Sequence, residues 1–136
     1  MERLKTYIVE DSPVIRDSLI AALEEMSPIQ VVGVAEDEAT AVRWLIESSN
    51  TADLVIVDIF LKLGSGLGVL RAVDRTQKYR NLVVLSNYAT PEMRLKCTEL
   101  GASKVFDKSN ELDALMRYCE RLASGDSGNS APAELN

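Results

Sequence analysis

Glu10, Asp11, Asp58, Ser86 and Lys108 combine reactive or charged side chains with a shared kind of placement. Glu10 and Asp11 follow the apolar run Thr6-Tyr7-Ile8-Val9, Asp58 follows Leu54-Val55-Ile56-Val57, Ser86 follows Leu82-Val83-Val84-Leu85, and Lys108, with Asp107 before it, follows Val105-Phe106. If these runs are strands whose ends share one rim, three carboxylates meet one ammonium and two negative charges are left uncompensated. A hard divalent ion such as Mg²⁺ suits that cluster, because it takes carboxylate and carbonyl oxygens and keeps waters that a phosphate can displace. Asp58 is then the expected nucleophile: a carboxylate can form an acyl phosphate while the metal and Lys108 neutralise charge on the transferring group. Ser86 is expected to donate its hydroxyl to a phosphate oxygen.

Each residue taken alone has a plainer explanation. A strand-end Asp often serves a turn, and Glu10-Asp11 ahead of Ser12-Pro13 complements a helix dipole. Ser86-Asn87 reads as a turn, and Lys108 as a solvated charge. Their joint position after four separate apolar runs favours one shared site.

The elements that must position them alternate regularly. A further apolar run, Val31-Val32-Gly33-Val34, brings the strands to five, all β-branched or aromatic and too short for helices. The central runs are continuously apolar, as strands covered on both faces are. Between them lie helical periods: Ile15, Leu19, Ala22, Leu23 and Met26 behind a Ser12 N-cap and Pro13; Val42, Leu45 and Ile46; Leu67, Leu70 and Val73; Met93, Cys97 and Leu100 between Thr90-Pro91 and Gly101; and Leu112, Leu115, Met116, Cys119 and Leu122 after a capping-box-like Asn110 and Asp113. Five β-α units with right-handed crossovers give a doubly wound α/β fold, an open parallel sheet with helices on both faces. In such sheets ligands bind beyond the carboxyl ends of the strands, where the five residues stand. Residues 1-123 are expected to form the domain, and 124-136, rich in Ser, Gly and Asn, a flexible C-terminal tail.

The chain has 136 residues, 15 basic against 21 acidic, for a net charge of −6. That balance repels nucleic-acid phosphates and anionic lipid headgroups, so no direct nucleic-acid or membrane partner is expected. There is no histidine, which excludes a His-ligated metal, Ser-His and Cys-His nucleophiles and an internal phosphohistidine. Cys97 and Cys119 lack metal-site spacing and fall on apolar stripes, and the N-terminus lacks a signal-peptide core; a cytoplasmic location is expected. Gly64-Ser65-Gly66-Leu67-Gly68 lacks dinucleotide-loop spacing and reads as a flexible turn into the third helix, and Trp44 as packing against the sheet margin.

At the five site residues the sequence resembles the receiver domain of two-component response regulators, over roughly Leu4 to Ala123. The resemblance implies a flavodoxin-like strand order 2-1-3-4-5 and places Asp58 at the phosphoacceptor. It further implies Mg²⁺ held by Glu10, Asp11 and Asp58 with the backbone carbonyl of Phe60, Asp11 being the more direct ligand of the acidic pair. Ser86 stands at the switch hydroxyl, Lys108 at the phosphate-pairing lysine, and Gly66 at the glycine that opens the third helix. Two positions depart from the pattern. Ser109 follows Lys108 where many relatives have proline, so no cis peptide is expected there. Val105 stands where the family usually has the Tyr or Phe whose rotation reports phosphorylation, and Phe106, one place on, points to the other face.

The expected function is a phosphorylation-dependent switch of a two-component phosphorelay, taking its phosphoryl group from a sensor histidine kinase or histidine phosphotransfer protein. By resemblance, the fourth helix, fifth strand and fifth helix form the face for a downstream protein or a phosphorylation-dependent homodimer. The stretch after Ala123 is too short for an output domain. Enzymatic turnover is not expected beyond slow Mg²⁺-dependent self-phosphorylation and dephosphorylation. A competing aspartyl-phosphate phosphatase needs a second Asp two residues past the nucleophile, and Phe60 stands there. A phosphorylation-independent scaffold is the third reading, suggested by Val105.

Overall fold

Each apolar run becomes a parallel strand, in a computed structural model that describes residues 3–125. The strands are β1 (Leu4–Val9), β2 (Ile29–Ala35), β3 (Leu54–Val57), β4 (Leu82–Ser86) and β5 (Lys104–Asp107), and the helices between and after them are α1 (Pro13–Met26), α2 (Glu38–Ile46), α3 (Gly66–Asp74), α4 (Pro91–Glu99) and α5 (Leu112–Ala123). One sheet runs β2-β1-β3-β4-β5, the doubly wound order. All of its pairings are parallel.

Burial follows strand position. Every residue of β3 and β4 is buried, whereas the edge strand β2 alternates and leaves Val32 and Val34 partly in solvent. The reason is that helices cover both faces. Leu19 and Leu23 of α1 and Leu115, Tyr118 and Cys119 of α5 pack with Ile8, Ile56, Val83, Leu85 and Phe106 on one face. On the other, Ala41 and Leu45 of α2, Val69, Leu70 and Val73 of α3 and Cys97 of α4 pack with Tyr7, Val9, Val55, Val57 and Val84. Val105 packs against this second cluster and Phe106 belongs to the first, so the two residues face opposite ways as strand geometry requires. Trp44 stacks on Tyr7, ring centroids 4.2 Å apart, at the sheet margin. Tyr7 pairs with Gly33, where a Cβ would lie 2.8 Å from the Tyr7 ring.

Three local expectations need correction. Ile15 and Met26, placed by spacing on the inward stripe of α1, are exposed, because they stand in its first and last turns where nothing covers them. Asn110 does not cap α5: Glu111 occupies that position, and its carboxylate is turned away to accept from the Asp107 amide at 2.8 Å. The Gly64–Gly68 turn is pinned, since Glu38 at the start of α2 accepts from the Ser65 amide at 2.9 Å and donates its own amide to Leu63 O at 3.2 Å. Ser65 then caps α3 through the Leu67 amide. The expected tail lies, from residue 126 onward, outside the described residues.

Candidate functional site

The sheet register sets the site. Val9 lies beside Val57, so Glu10 and Asp58 emerge as neighbours from β1 and β3, and Ser86 lies beside Asp107, which puts Lys108 next to the end of β4. Backbone bonds extend the ladder through these residues: Glu10 N to Ala35 O at 2.9 Å, Asp58 N to Val9 O at 3.0 Å and Lys108 N to Ser86 O at 2.9 Å. Rigid strands therefore hold the Cα positions, and side-chain reach closes the rest.

Lys108 Nζ donates to Glu10 Oε1 at 2.5 Å and to Asp58 Oδ2 at 3.0 Å. Both carboxylates are buried. Their remaining oxygens are met by backbone: Ser12 N donates to Glu10 Oε2 at 3.2 Å and Phe60 N to Asp58 Oδ1 at 3.3 Å. Asp11, less buried, accepts from Lys62 N at 2.8 Å. Burial raises the Glu10 carboxyl above the usual carboxylate range, and the Asp58 charge adds to this, against the opposing bonds from Lys108 and the Ser12 amide. For Lys108 burial alone would lower the value, but the bonds and charges of Glu10 and Asp58 outweigh it and hold the ammonium above the ordinary lysine value.

Glu10, Asp11 and Asp58 each offer a carboxylate oxygen within 4.8 Å of the others. One ammonium against three carboxylates leaves the group net negative, and its donors are all hard oxygens, the set that a divalent cation such as Mg²⁺ takes. The residues present fit such an ion. Phe60 lies at the same rim, and its half-exposed ring meets Tyr88 edge to face with centroids 5.3 Å apart. Ser86 is fully buried and joins the group through its backbone; its Oγ accepts from Tyr88 N at 3.4 Å. Thus the structure brings Glu10, Asp11, Asp58 and Lys108 into side-chain proximity and keeps Ser86 at the adjoining strand end.

The family model for the response regulator receiver domain matches residues 6–120. The chain belongs to this family. It is 27% identical to the Fimbriae Z protein of Salmonella typhimurium, over 92% of this chain and 59% of that one. It is 30% identical to the sensory transduction protein LytR of Staphylococcus haemolyticus, over 88% and 45% of the two chains. The receiver domain thus spans about half the length of these relatives. A two-component response regulator of the LuxR family from Aurantimonas sp. shares the fold, with a TM-score of 0.80 and 23% identity over 93% of this chain and 89% of that one.

One group of polar residues beside the site escapes sequence reasoning. Arg94, on α4, meets the β4–α4 loop, β5 and Glu111 through its guanidinium. Two of its acceptors are backbone carbonyls, which no residue pattern announces. Among the described residues no helix is long and apolar enough to cross a membrane.

Proposed function

We propose that this receiver domain is a phosphorylation-dependent signalling switch that accepts a phosphoryl group on Asp58. The observation that carries this reading is the position of the Asp58 carboxylate, which lies at the C-terminal rim of the sheet, paired with Lys108 and beside Glu10 and Asp11. A carboxylate oxygen of Asp58 attacks phosphorus, the P–N bond of a phosphohistidine breaks, and the imidazole leaves with a proton from solvent. The phosphohistidine is that of a histidine kinase or phosphotransfer protein, since these 136 residues include no histidine.

Glu10, Asp11 and Asp58, with the Phe60 carbonyl, are the residues that would hold Mg²⁺, whose contribution when bound is to neutralise charge on the phosphoryl oxygens. Lys108 supplies a fixed positive charge at the same place, and the Ser86 hydroxyl, which accepts from the Tyr88 amide and keeps its own proton to donate to a phosphate oxygen, draws its loop inward. Phe60 has no proton to give, which disfavours rapid hydrolysis by a phosphatase mechanism. The buried, unpaired thiols of Cys97 and Cys119 support a reducing, cytoplasmic setting. The net charge of −6 supports protein partners over nucleic acid, and the face of α4, β5 and α5, with Leu95 exposed, is the surface we assign to a downstream protein or a second copy.

Intact-mass measurement after incubation with Mg²⁺ and acetyl phosphate tests the assignment. One phosphoryl adduct is expected, absent in Asp58→Asn and absent when EDTA replaces Mg²⁺. An undiminished adduct in Asp58→Asn overturns it.

A further inference from the structure

Val105 is too small to act as an aromatic reporter, and the space between α4 and β5 is bridged by Arg94. Its guanidinium reaches three separate elements. Nε donates to Ala89 O at 2.9 Å in the loop between β4 and α4, Nη1 to Val105 O at 2.9 Å on β5, and Nη2 to Glu111 Oε1 at 2.7 Å at the start of α5. The same Glu111 oxygen accepts from the Asp107 amide at 2.8 Å, one residue before Lys108. Because β5 is an edge strand, the guanidinium takes the place of a neighbouring strand at the Val105 carbonyl.

The bridge ends at the two loops that carry Ser86 and Lys108. Ala89 follows Tyr88, whose amide is bonded to the Ser86 hydroxyl. On the far side, Asp107 fixes the start of the Lys108 loop by accepting from the Ser109 and Asn110 amides at 2.8 and 3.2 Å. We propose that Arg94 is a positioning residue that couples the Ser86 loop to the Lys108 loop and to the first turn of α5. This rests on the reading of Asp58 as phosphoacceptor.

The physical argument lies in the shape of the guanidinium. It is a rigid planar fork, so its three bonds share one geometry and cannot adjust independently. Hydrogen bonds weaken steeply as they lengthen and bend, so inward motion of Tyr88 and Ala89 forces the fork to turn and at least one bond to break. The charge-assisted bond to Glu111 is the strongest and is retained, so the first turn of α5 follows α4 while Val105 O is released. Lysine at this position offers a point charge on a flexible stem and cannot hold all three acceptors.

The test compares amide chemical shifts with and without Mg²⁺ and beryllofluoride, a phosphoryl mimic, in the parent, Arg94→Gln and Arg94→Lys, with folding checked by thermal melting. The parent is expected to respond at residues 86–90 and at 107–112 together. Both variants are expected to keep the first response and lose at least threefold of the second, while still forming the Asp58 adduct with acetyl phosphate. Should Arg94→Gln fail to fold, Glu111→Ala, which removes the far end of the bridge, carries the same expectation. A full response at 107–112 in a folded variant overturns the bridge and leaves the Asp58 reading standing. No adduct and no beryllofluoride response in the parent overturns both.

Discussion

Lys108 Nζ lies 3.0 Å from Asp58 Oδ2 while also bonding Glu10, so one ammonium is held between two carboxylates that emerge from neighbouring strands. The pair is not a simple ion pair: the shared cation is outnumbered, and Asp11 adds a third carboxylate within reach. Removing the cation and removing one anion should therefore act on stability in opposite directions.

In Lys108→Ala, two buried carboxylates face each other without their counter-charge, and breaking a buried pair in this way costs about 3 kcal/mol. In Asp58→Asn one excess negative charge is removed and Lys108 retains Glu10, so the metal-free protein should gain up to about 1 kcal/mol. Urea unfolding in EDTA at neutral pH measures both. Mg²⁺ should recover more stability in Lys108→Ala than in the parent, since the ion supplies charge that the variant lacks. Equal stability of the two variants would contradict the geometry described.

The Arg94–Glu111 bridge predicts a pH dependence at the other end of the scale. Its bond to Arg94, aided by the Asp107 amide, holds the Glu111 carboxyl below the usual carboxylate range. A folded-state value below the unfolded one gives stability that is present above the unfolded value, about 4.3, and lost as pH falls through the lower folded value. Parent and Glu111→Gln should accordingly differ at neutral pH by at most about 1 kcal/mol, as partly exposed pairs do, and converge in acid. Side-chain carboxyl NMR provides an independent check, since Arg94→Gln should move the Glu111 titration upward. A titration unmoved by that substitution would show that Arg94 is not its cause.

Glu10 and Asp58 were legible because each follows directly on an apolar run, and Asp11 and Lys108 because each stands one place further on, so that strand geometry alone brought them to one rim. Short-range chemistry of this kind is written in neighbouring residues. What was not legible depends on contacts between distant segments. Glu38 pins the Gly64–Gly68 turn across 27 positions, and Glu111 abandons its cap role because Asp107 and Arg94 compete for the same carboxylate. Helix periodicity overreached for a related reason: Ile15 and Met26 share a stripe with Leu19 and Leu23, but a stripe does not say how far the covering element extends.

Both thiols are predicted to be inert in the folded protein. Cys97 and Cys119 have no exposed surface, and burial pushes Cys119, with the help of the Glu120 charge, up to about 12. Very little of such a group is thiolate, the reactive form, near neutral pH. A disulfide reagent should therefore titrate no thiol rapidly in native buffer and two in denaturant. Fast stoichiometric reaction in native buffer would refute the packing of α4 or α5 against the sheet, and peptide mapping would say which.

Two glycines two residues apart on α3 should respond to the same substitution very differently. At Gly66 an added Cβ would run into the Asp58 carbonyl and come within 2.7 Å of Ile59 Cα, backbone atoms that hold Asp58 in place and cannot move aside. Gly66 N also donates to Ile59 O at 2.9 Å, closing the loop that carries Phe60. Gly66→Ala should cost about 2–3 kcal/mol through overpacking and should slow adduct formation on Asp58, because relief requires displacing that residue. At Gly68 the atoms nearest to the Cβ would be the carboxylate end of Glu38, which can swing away. The lost Glu38 bond to Ser65 N is offset by a helix-propensity gain of about 1 kcal/mol for alanine, so Gly68→Ala should be close to neutral in stability and in adduct formation. Urea midpoints and adduct rates measured side by side decide the matter, and a Gly66→Ala protein as stable and as reactive as Gly68→Ala would mean that the Asp58 loop does not approach α3 as described.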